Sequence, residues 1–272
     1  MTTKGFGKLG ICILLSVCHA LAQVNSHPAT VAAITPRTHG PMQLNGLVPG
    51  GGVTSSNWSG YAVTGSNFTY ANGSWHVPQV SCSVTPNTYS AFWVGIDGYS
   101  DKTVEQVGTE SDCSGTTPVY YAWYEFYPAP PVVISLVPIS PGDRMGAWVT
   151  YGGGVFTIFI EDYTTGASFI VASPVSGAKR TSAEWIAEAP CTGAGCGIIL
   201  PLADFVRVNY GEDYNILDPD SCNATDGSVN DGEIADFGAN VKKITMFKVV
   251  NEAVPTALTA DGSSFRVNWK AE

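Results

Sequence analysis

The stretch Tyr120-Tyr-Ala-Trp-Tyr-Glu-Phe-Tyr127 puts Tyr121, Trp123, Glu125 and Tyr127 on one side of an extended chain, because successive strand side chains point to opposite faces. Its aromatic density and period of two predict a strand, not a helix. The same reading extends outward. Trp58–Val63, Gly73–Val77, Ala91–Ile96, Met145–Tyr151, Val155–Asp162, Ser168–Ala172, Thr181–Ala187, Ile244–Val250 and Phe265–Trp269 all read as strands. Turn clusters such as Ser140-Pro-Gly-Asp143 and Tyr163-Thr-Thr-Gly166 separate them. Helical periodicity is nearly absent and no internal repeat is visible. Many short strands with turn signals predict an all-β sandwich or jelly roll. The polar segment from Gly211 to Asn240 reads as a long loop.

The chain around this core divides into three parts. Lys4 and Lys8 precede the apolar run Ile11–Leu15, and Ala20-Leu-Ala22 supplies a small-x-small cleavage pattern. Residues 1–22 therefore read as a secretory signal peptide, and export as a soluble protein is expected. No later run reaches the roughly 18–20 apolar residues of a membrane-spanning helix. Residues 23–53 carry Pro28, Pro36, Pro41, Pro49 and Gly50-Gly-Gly52, with no acid and no clear period, so they read as a pro-segment or linker. Residues 54–272 suit one sandwich domain.

All 23 acidic residues lie at or after Asp97, and residues from 53 onward carry 10 basic ones, a formal net charge of −13. Such a surface repels nucleic acid and anionic membranes. Charged residues are only 13% of the chain, well below the usual quarter. Few lysines with many neutral polar residues fit a secreted protein working in acid, where carboxylates are neutral and self-repulsion fades. Five cysteines follow the signal. Cys191 and Cys196 bracket a short flexible turn fit for a small disulfide loop, and Cys82 with Cys113 is one pairing for a second bridge, with Cys222 left over. No C-x-x-C pair points to zinc. The acidic stretch Glu212–Asp236 lacks an EF-hand register and reads as a solvated loop. Neither metal nor cofactor is expected, and nothing points to an oligomer, so a monomer is expected.

The chemistry rests on carboxyls and amides. Beyond His39 the only histidine is His76, leaving little room for a Ser-His-Asp triad or a histidine metal site. Glu184, Ile186 and Glu188 share one strand face; Trp93 and Asp97 fall together on another. If these strands neighbour Tyr120–Tyr127 in a curved sheet, the concave face becomes an aromatic groove with several carboxyls, able to hold an extended polymer. A carboxylate such as Glu188 can take a proton from water and return it to a leaving group. The Gln106 amide can donate to an oxyanion. Together they suffice for peptide hydrolysis. The structural alternative has Gln106 capping a strand edge and Glu188 pairing with Lys179 or Arg180.

Six segments in order tip the balance: Ser56-Asn-Trp-Ser-Gly60, Trp93-Val-Gly-Ile-Asp-Gly98, Glu105-Gln-Val-Gly108, Ala122-Trp-Tyr-Glu-Phe-Tyr-Pro128, Tyr163-Thr-Thr-Gly166 and Ala183-Glu-Trp-Ile-Ala-Glu188. In order and spacing the chain from about residue 54 resembles the glutamic peptidases (eqolisins). The resemblance implies a concanavalin A-like sandwich of two curved antiparallel sheets, a secreted pro-enzyme active in acid, and a polypeptide substrate. It implies Gln106 as oxyanion stabiliser and Glu188 as general base and acid. It implies Trp93, Asp97, Trp123 and Glu125 as residues shaping the substrate site, to which Glu184 is added as a further groove carboxyl. The Cys191–Cys196 loop sits where the family has one. Tyr99 and Tyr121 depart from the family pattern, each standing where an aspartate is common, so the family's pH optimum and subsite preferences do not transfer.

Two alternatives use the same sandwich: a glycan-binding module and a glycan hydrolase. Glu184 and Glu188 lie about 13 Å apart along an ideal strand, too far for the roughly 5–9.5 Å between glycosidase carboxyls. Glu125 with Glu188 remains a candidate pair across strands. The pro-segment offers His27, Arg37 and His39 as partners for groove carboxylates, released when those protonate.

Overall fold

Period-two alternation organises the chain because each long strand buries one row of side chains in a common core and turns the other outward. The computed structural model describes residues 34–48, 52–212 and 222–271. Residues from Thr35 onward form a single compact unit. The expected signal peptide and His27 lie outside the described residues.

In chain order the strands begin with β1 (Leu44–Val48), β2 (Gly52–Ser55), β3 (Trp58–Thr64), β4 (Tyr70–His76), β5 (Ala91–Ile96) and β6 (Val104–Ser114). They continue with β7 (Thr117–Tyr127), β8 (Val132–Val133), β9 (Arg144–Gly152), β10 (Val155–Asp162), β11 (Ala167–Ser173) and β12 (Ser182–Glu188). The last are β13 (Cys191–Thr192), β14 (Ile198–Ile199), β15 (Arg207–Tyr210), β16 (Asn223–Thr225), β17 (Gly232–Glu233), β18 (Val241–Phe247), β19 (Asn251–Pro255) and β20 (Phe265–Trp269). The ten strands expected from periodicity all form, with ends shifted by a few residues.

Two layers result, and the architecture is the expected all-β sandwich. One runs β7–β6–β5–β12–β3–β18 with antiparallel neighbours. The other runs β11–β10–β9–β4, also antiparallel. Strands β15, β20 and β19 join β4 back to β18 and tie the two layers together. Phe92, Val94 and Ile96 of β5, Val107 of β6, Ala122 and Phe126 of β7, and Trp185 and Ala187 of β12 fill the core from the first layer. Trp75, Met145, Val149, Phe156, Ile158 and Ile160 meet them from the second. Burying large apolar side chains at about 25 cal/mol per Å² is the dominant stabilising contribution.

Cys82–Cys113 and Cys191–Cys196 are both bridged. Cys222 is buried outside these bridges. The segment read as a long loop corrects in part. Its described residues hold β16 and β17, which pair with one another, and a 3-10 helix over Ile234–Asn240. Asn223–Thr225 also adds to β4. Polar composition hid these short elements because they are sheet-edge additions carrying few apolar residues. Among the described residues no helix is long and apolar enough to cross a membrane.

Candidate active site

The outward rows of β12, β5, β6 and β7 lie side by side, and the register fixes what meets what. Glu184 of β12 stands opposite Gly95, which stands opposite Gln106, which stands opposite Glu125. The next row is Ile186, Trp93, Gly108 and Trp123. The third is Glu188, Ala91, Glu110 and Tyr121. The sheet thus assembles the aromatic, carboxyl-bearing face expected from the alternation. Glycines let the large rings lie flat on it. A Cβ on Gly108 would fall 2.5 Å from the Trp93 Cβ and 2.3 Å from the Phe92 carbonyl oxygen.

Glu188 is fully buried at the end of β12. Its Oε2 accepts the Trp93 indole N–H at 2.8 Å, and its Oε1 accepts Asn57 Nδ2 at 3.4 Å. Burial pushes its pKa well above the ordinary value, opposed chiefly by the Trp93 donor. Trp58 packs edge-on against Trp93, with ring centroids 4.9 Å apart. Lys179 and Arg180 give their backbone N–H groups to Asp97. Gln106 is also fully buried. Its Nε2 lies 3.3 Å from Glu125 Oε2, which orients the amide with its donor toward the groove. Glu125 is pushed up by burial, against the pull of the His39 backbone N–H.

The floor residues are buried, and residues 37–43 cross over them. The His39 ring stacks on Trp123 with centroids 3.5 Å apart and planes 11° from parallel. His39 Nδ1 is 3.3 Å from Glu188 Oε2, and Nε2 is 3.4 Å from Glu110 Oε1. Burial lowers the His39 pKa and raises that of Glu110, so neither ring nor carboxyl gains a charge easily here. Arg37 lies over the Tyr89 ring, 4.3 Å from its centroid, and its charge pulls Glu110 down. Tyr121 faces the backbone of Arg37.

The other expected site residues divide. Trp93, Trp123 and Glu125 line the groove beside Gln106 and Glu188. Asp97 is turned away and tied to another loop, accepting backbone N–H groups of Lys179, Arg180 and Thr181 at 2.7–2.8 Å. It occupies a left-handed position, φ 72°, that aspartate tolerates. Burial and the neighbouring Asp101 raise its pKa to about 6 against the pull of the Arg180 and Thr181 N–H groups. Glu184 is fully buried at the far end of the face, and burial raises it well above normal, with Asp97, Asp101 and Glu105 adding repulsion. Among the described residues no group of three or more His, Cys, Asp or Glu side chains is arranged to hold a metal.

Three residues of the site were not singled out from the sequence. Asn57 stands in the sequence only as part of the Ser56–Gly60 segment, and its side chain is buried between Glu188 and the backbone of Pro41. Trp58 follows it. Glu110 was hidden because Val104–Ser114 does not figure among the expected strands; with β6 in place, counting by twos from Gln106 reaches it directly.

The Peptidase A4 family pattern matches residues 56–257. Scytalidopepsin B of Scytalidium lignicola is 30% identical over 195 residues, 66% of this chain and 73% of that protein. Aspergillopepsin-2 of Aspergillus niger is 30% identical over 183 residues, 57% of this chain and 62% of that protein. A crystal structure of scytalido-glutamic peptidase with a transition state analog inhibitor superposes with a TM-score of 0.64 at 24% identity, covering 79% of this chain and 98% of that one. Aspergilloglutamic peptidase from Aspergillus niger gives 0.55 at 24% identity, covering 67% and 99%. A match that spans the six resemblance segments and the whole groove-forming face places this chain in the Peptidase A4 family, the glutamic peptidases, and makes it a glutamic endopeptidase.

Proposed function

We propose that Glu188 and Gln106 form the catalytic dyad of a secreted acid endopeptidase. Ionised Glu188 takes a proton from the attacking water while Gln106 Nε2 holds the carbonyl oxygen as it becomes negative. Protonated Glu188 then gives its proton to the departing nitrogen. The observation that carries this reading is that both groups converge, from β12 and β6, on a single residue lying in the groove: Glu188 against the His39 ring and Gln106 on the His39 carbonyl. Trp93 and Trp123 form the walls of the substrate site, and Glu125 orients Gln106. Asp97 and Glu184 bound the groove at its far end, Asp97 through the 179–181 turn. Residues 1–22 act as the signal peptide, 23–53 as the pro-segment and 54–272 as the catalytic domain, working as a monomer on polypeptides, away from nucleic acid and membranes.

Burial raises the Glu188 pKa and so leaves less of the ionised base in acid, and the Trp93 and Asn57 donors work against that rise. Peptidase family membership leaves the glycan-binding and glycan-hydrolysing alternatives without support. The test is digestion of an unfolded protein from roughly pH 2 to 7, spanning the Glu range, by the wild type, Glu188→Gln and Gln106→Ala, with folding checked by circular dichroism. Loss of cleavage in both folded variants is expected. Retained cleavage in folded Glu188→Gln would sink the assignment.

A further inference from the structure

The segment Thr38–Gln43 is held in the groove by backbone hydrogen bonds at Thr38, His39, Pro41, Met42 and Gln43, as an extended peptide substrate would be. Thr38 N–H donates to the Cys191 carbonyl and Cys191 N–H to the Thr38 carbonyl, at 3.3 and 2.9 Å. His39 N–H donates to Glu125 Oε2 at 2.8 Å. Gln106 Nε2 donates to the His39 carbonyl oxygen at 2.5 Å. Beyond this point Asn57 Nδ2 donates to the Pro41 carbonyl, Met42 N–H to the Gly98 carbonyl and Gln43 N–H to Asn57 Oδ1.

Within this run one carbonyl differs from the rest. Only His39 offers its carbonyl oxygen to the amide that stabilises an oxyanion, while its ring touches the carboxyl that activates water. The following position is closed to any side chain, since a Cβ on Gly40 would fall 2.6 Å from Cys196 Sγ and 2.7 Å from its Cβ. The chain runs through as His39-Gly40-Pro41.

We infer that the His39–Gly40 peptide bond is the bond this peptidase hydrolyses in its own chain. The inference rests on the assignment of Gln106 and Glu188 above. A water oxygen bonds to the His39 carbonyl carbon and Glu188 takes its proton. The oxygen that becomes negative stays on Gln106 Nε2. The carbon–nitrogen bond to Gly40 then breaks, and Glu188 returns the proton to the Gly40 nitrogen. The products are a carboxyl at His39 and an amine at Gly40, with one water consumed. Cutting here frees the part before Gly40 and leaves Gly40–Val48 attached through β1.

The test uses the full exported chain, purified at neutral pH and then acidified at several protein concentrations. Intact mass and N-terminal sequencing follow the chain, and digestion of an added unfolded protein is measured in parallel. The expected result is a new N-terminus Gly40-Pro41-Met42, formed at a rate independent of concentration and absent in Glu188→Gln. Gly40→Val should slow this cut about a hundredfold, as a misplacement of about 1 Å does at a reacting centre. A wild type that digests added protein while its 39–40 bond stays intact overturns the inference and leaves the dyad standing. A folded wild type that cleaves neither its own segment nor added protein overturns both.

Discussion

The Trp93 indole nitrogen lies 2.8 Å from Glu188 Oε2, across the β5–β12 pairing, and it is the shortest hydrogen bond that this carboxyl receives from a neighbouring strand. A donor of this kind favours the ionised form and works against the burial that favours the neutral one. Trp93→Phe keeps the ring and removes the N–H. The Glu188 pKa should then rise further and the acid limb of kcat/KM should move to higher pH. Hydrogen bonds to charged groups contribute about 1.5–3 kcal/mol, so kcat/KM in acid should fall about 10- to 100-fold. A pH–rate profile checks this, and an unmoved acid limb would mean that Trp93 only packs.

Glu125 should act through Gln106. Its Oε2 receives the Gln106 amide at 3.3 Å, which selects one of two orientations of a group with a donor end and an acceptor end. Glu125→Leu removes that selection with little change in volume. We expect kcat to fall about tenfold or more, less than the roughly 10²–10³ lost when an oxyanion donor is deleted outright. The fall should be in kcat more than in KM, and Glu125→Gln should recover part of it. Steady-state kinetics on one peptide substrate separates these outcomes.

How much of this was legible in the sequence follows from what the residues had to do. Alternation in Tyr120–Tyr127 and Thr181–Glu188 is enforced by a core on one side, so the facing of Trp123, Glu125 and Glu188 could be read without a partner strand. Which strands become neighbours is set by long-range pairing, and β3 entering between β12 and β18 left no local mark. Asp97 was read with Trp93 by parity, but its positive φ breaks the strand and turns its carboxyl to the 179–181 backbone. Asn57 gave no sign of its role because nothing nearby in sequence announces Glu188, 131 residues away. Arg37 and His39 were expected to meet carboxylates, and His39 does so at Glu188 and Glu110.

Stability should fall as pH rises. Burial raises Asp97 from 3.8 to about 6, Asp112 from 3.8 to about 7 and Glu105 from 4.5 to about 9. Each folded-state pKa exceeds its unfolded value, so the folded protein binds more protons in the intervening range. Below about pH 4 both states are protonated and the full stability is present. It is lost progressively as pH climbs through about 6, 7 and 9 for the three groups in turn. The melting temperature should drop on the order of 10 °C between acid and mildly alkaline buffer. Scanning calorimetry across that range tests it, and Glu105→Gln should flatten the alkaline part of the curve.

The Cys82–Cys113 bridge closes a separation of 31 residues and ties the loop after β4 to the end of β6. Loop-closure entropy for this length gives about 4 kcal/mol. Replacing both cysteines by serine should lower the melting temperature by roughly 8–16 °C. Because Gln106 lies on the same strand well away from the bridge, kcat at low temperature should change little. A large loss of kcat without a drop in melting temperature would contradict this division.

Gly108 couples the sheet to the dyad. A Cβ there would meet Trp93 and the Phe92 carbonyl well inside contact distance, and backbone oxygen has no rotamer with which to escape. Gly108→Ala should therefore push β5 away from β6 and carry the Trp93 indole off Glu188. Overpacking of this kind costs about 1–3 kcal/mol of stability. Activity should fall as it does in Trp93→Phe, by the same loss of donor. The two changes share one mechanism, so the double variant should be hardly worse in kcat/KM than Trp93→Phe alone. Independent sites would instead multiply their effects. A double-mutant cycle on kcat/KM decides the matter, since multiplicative losses would mean that Gly108 disturbs Gln106 and not the Trp93–Glu188 contact.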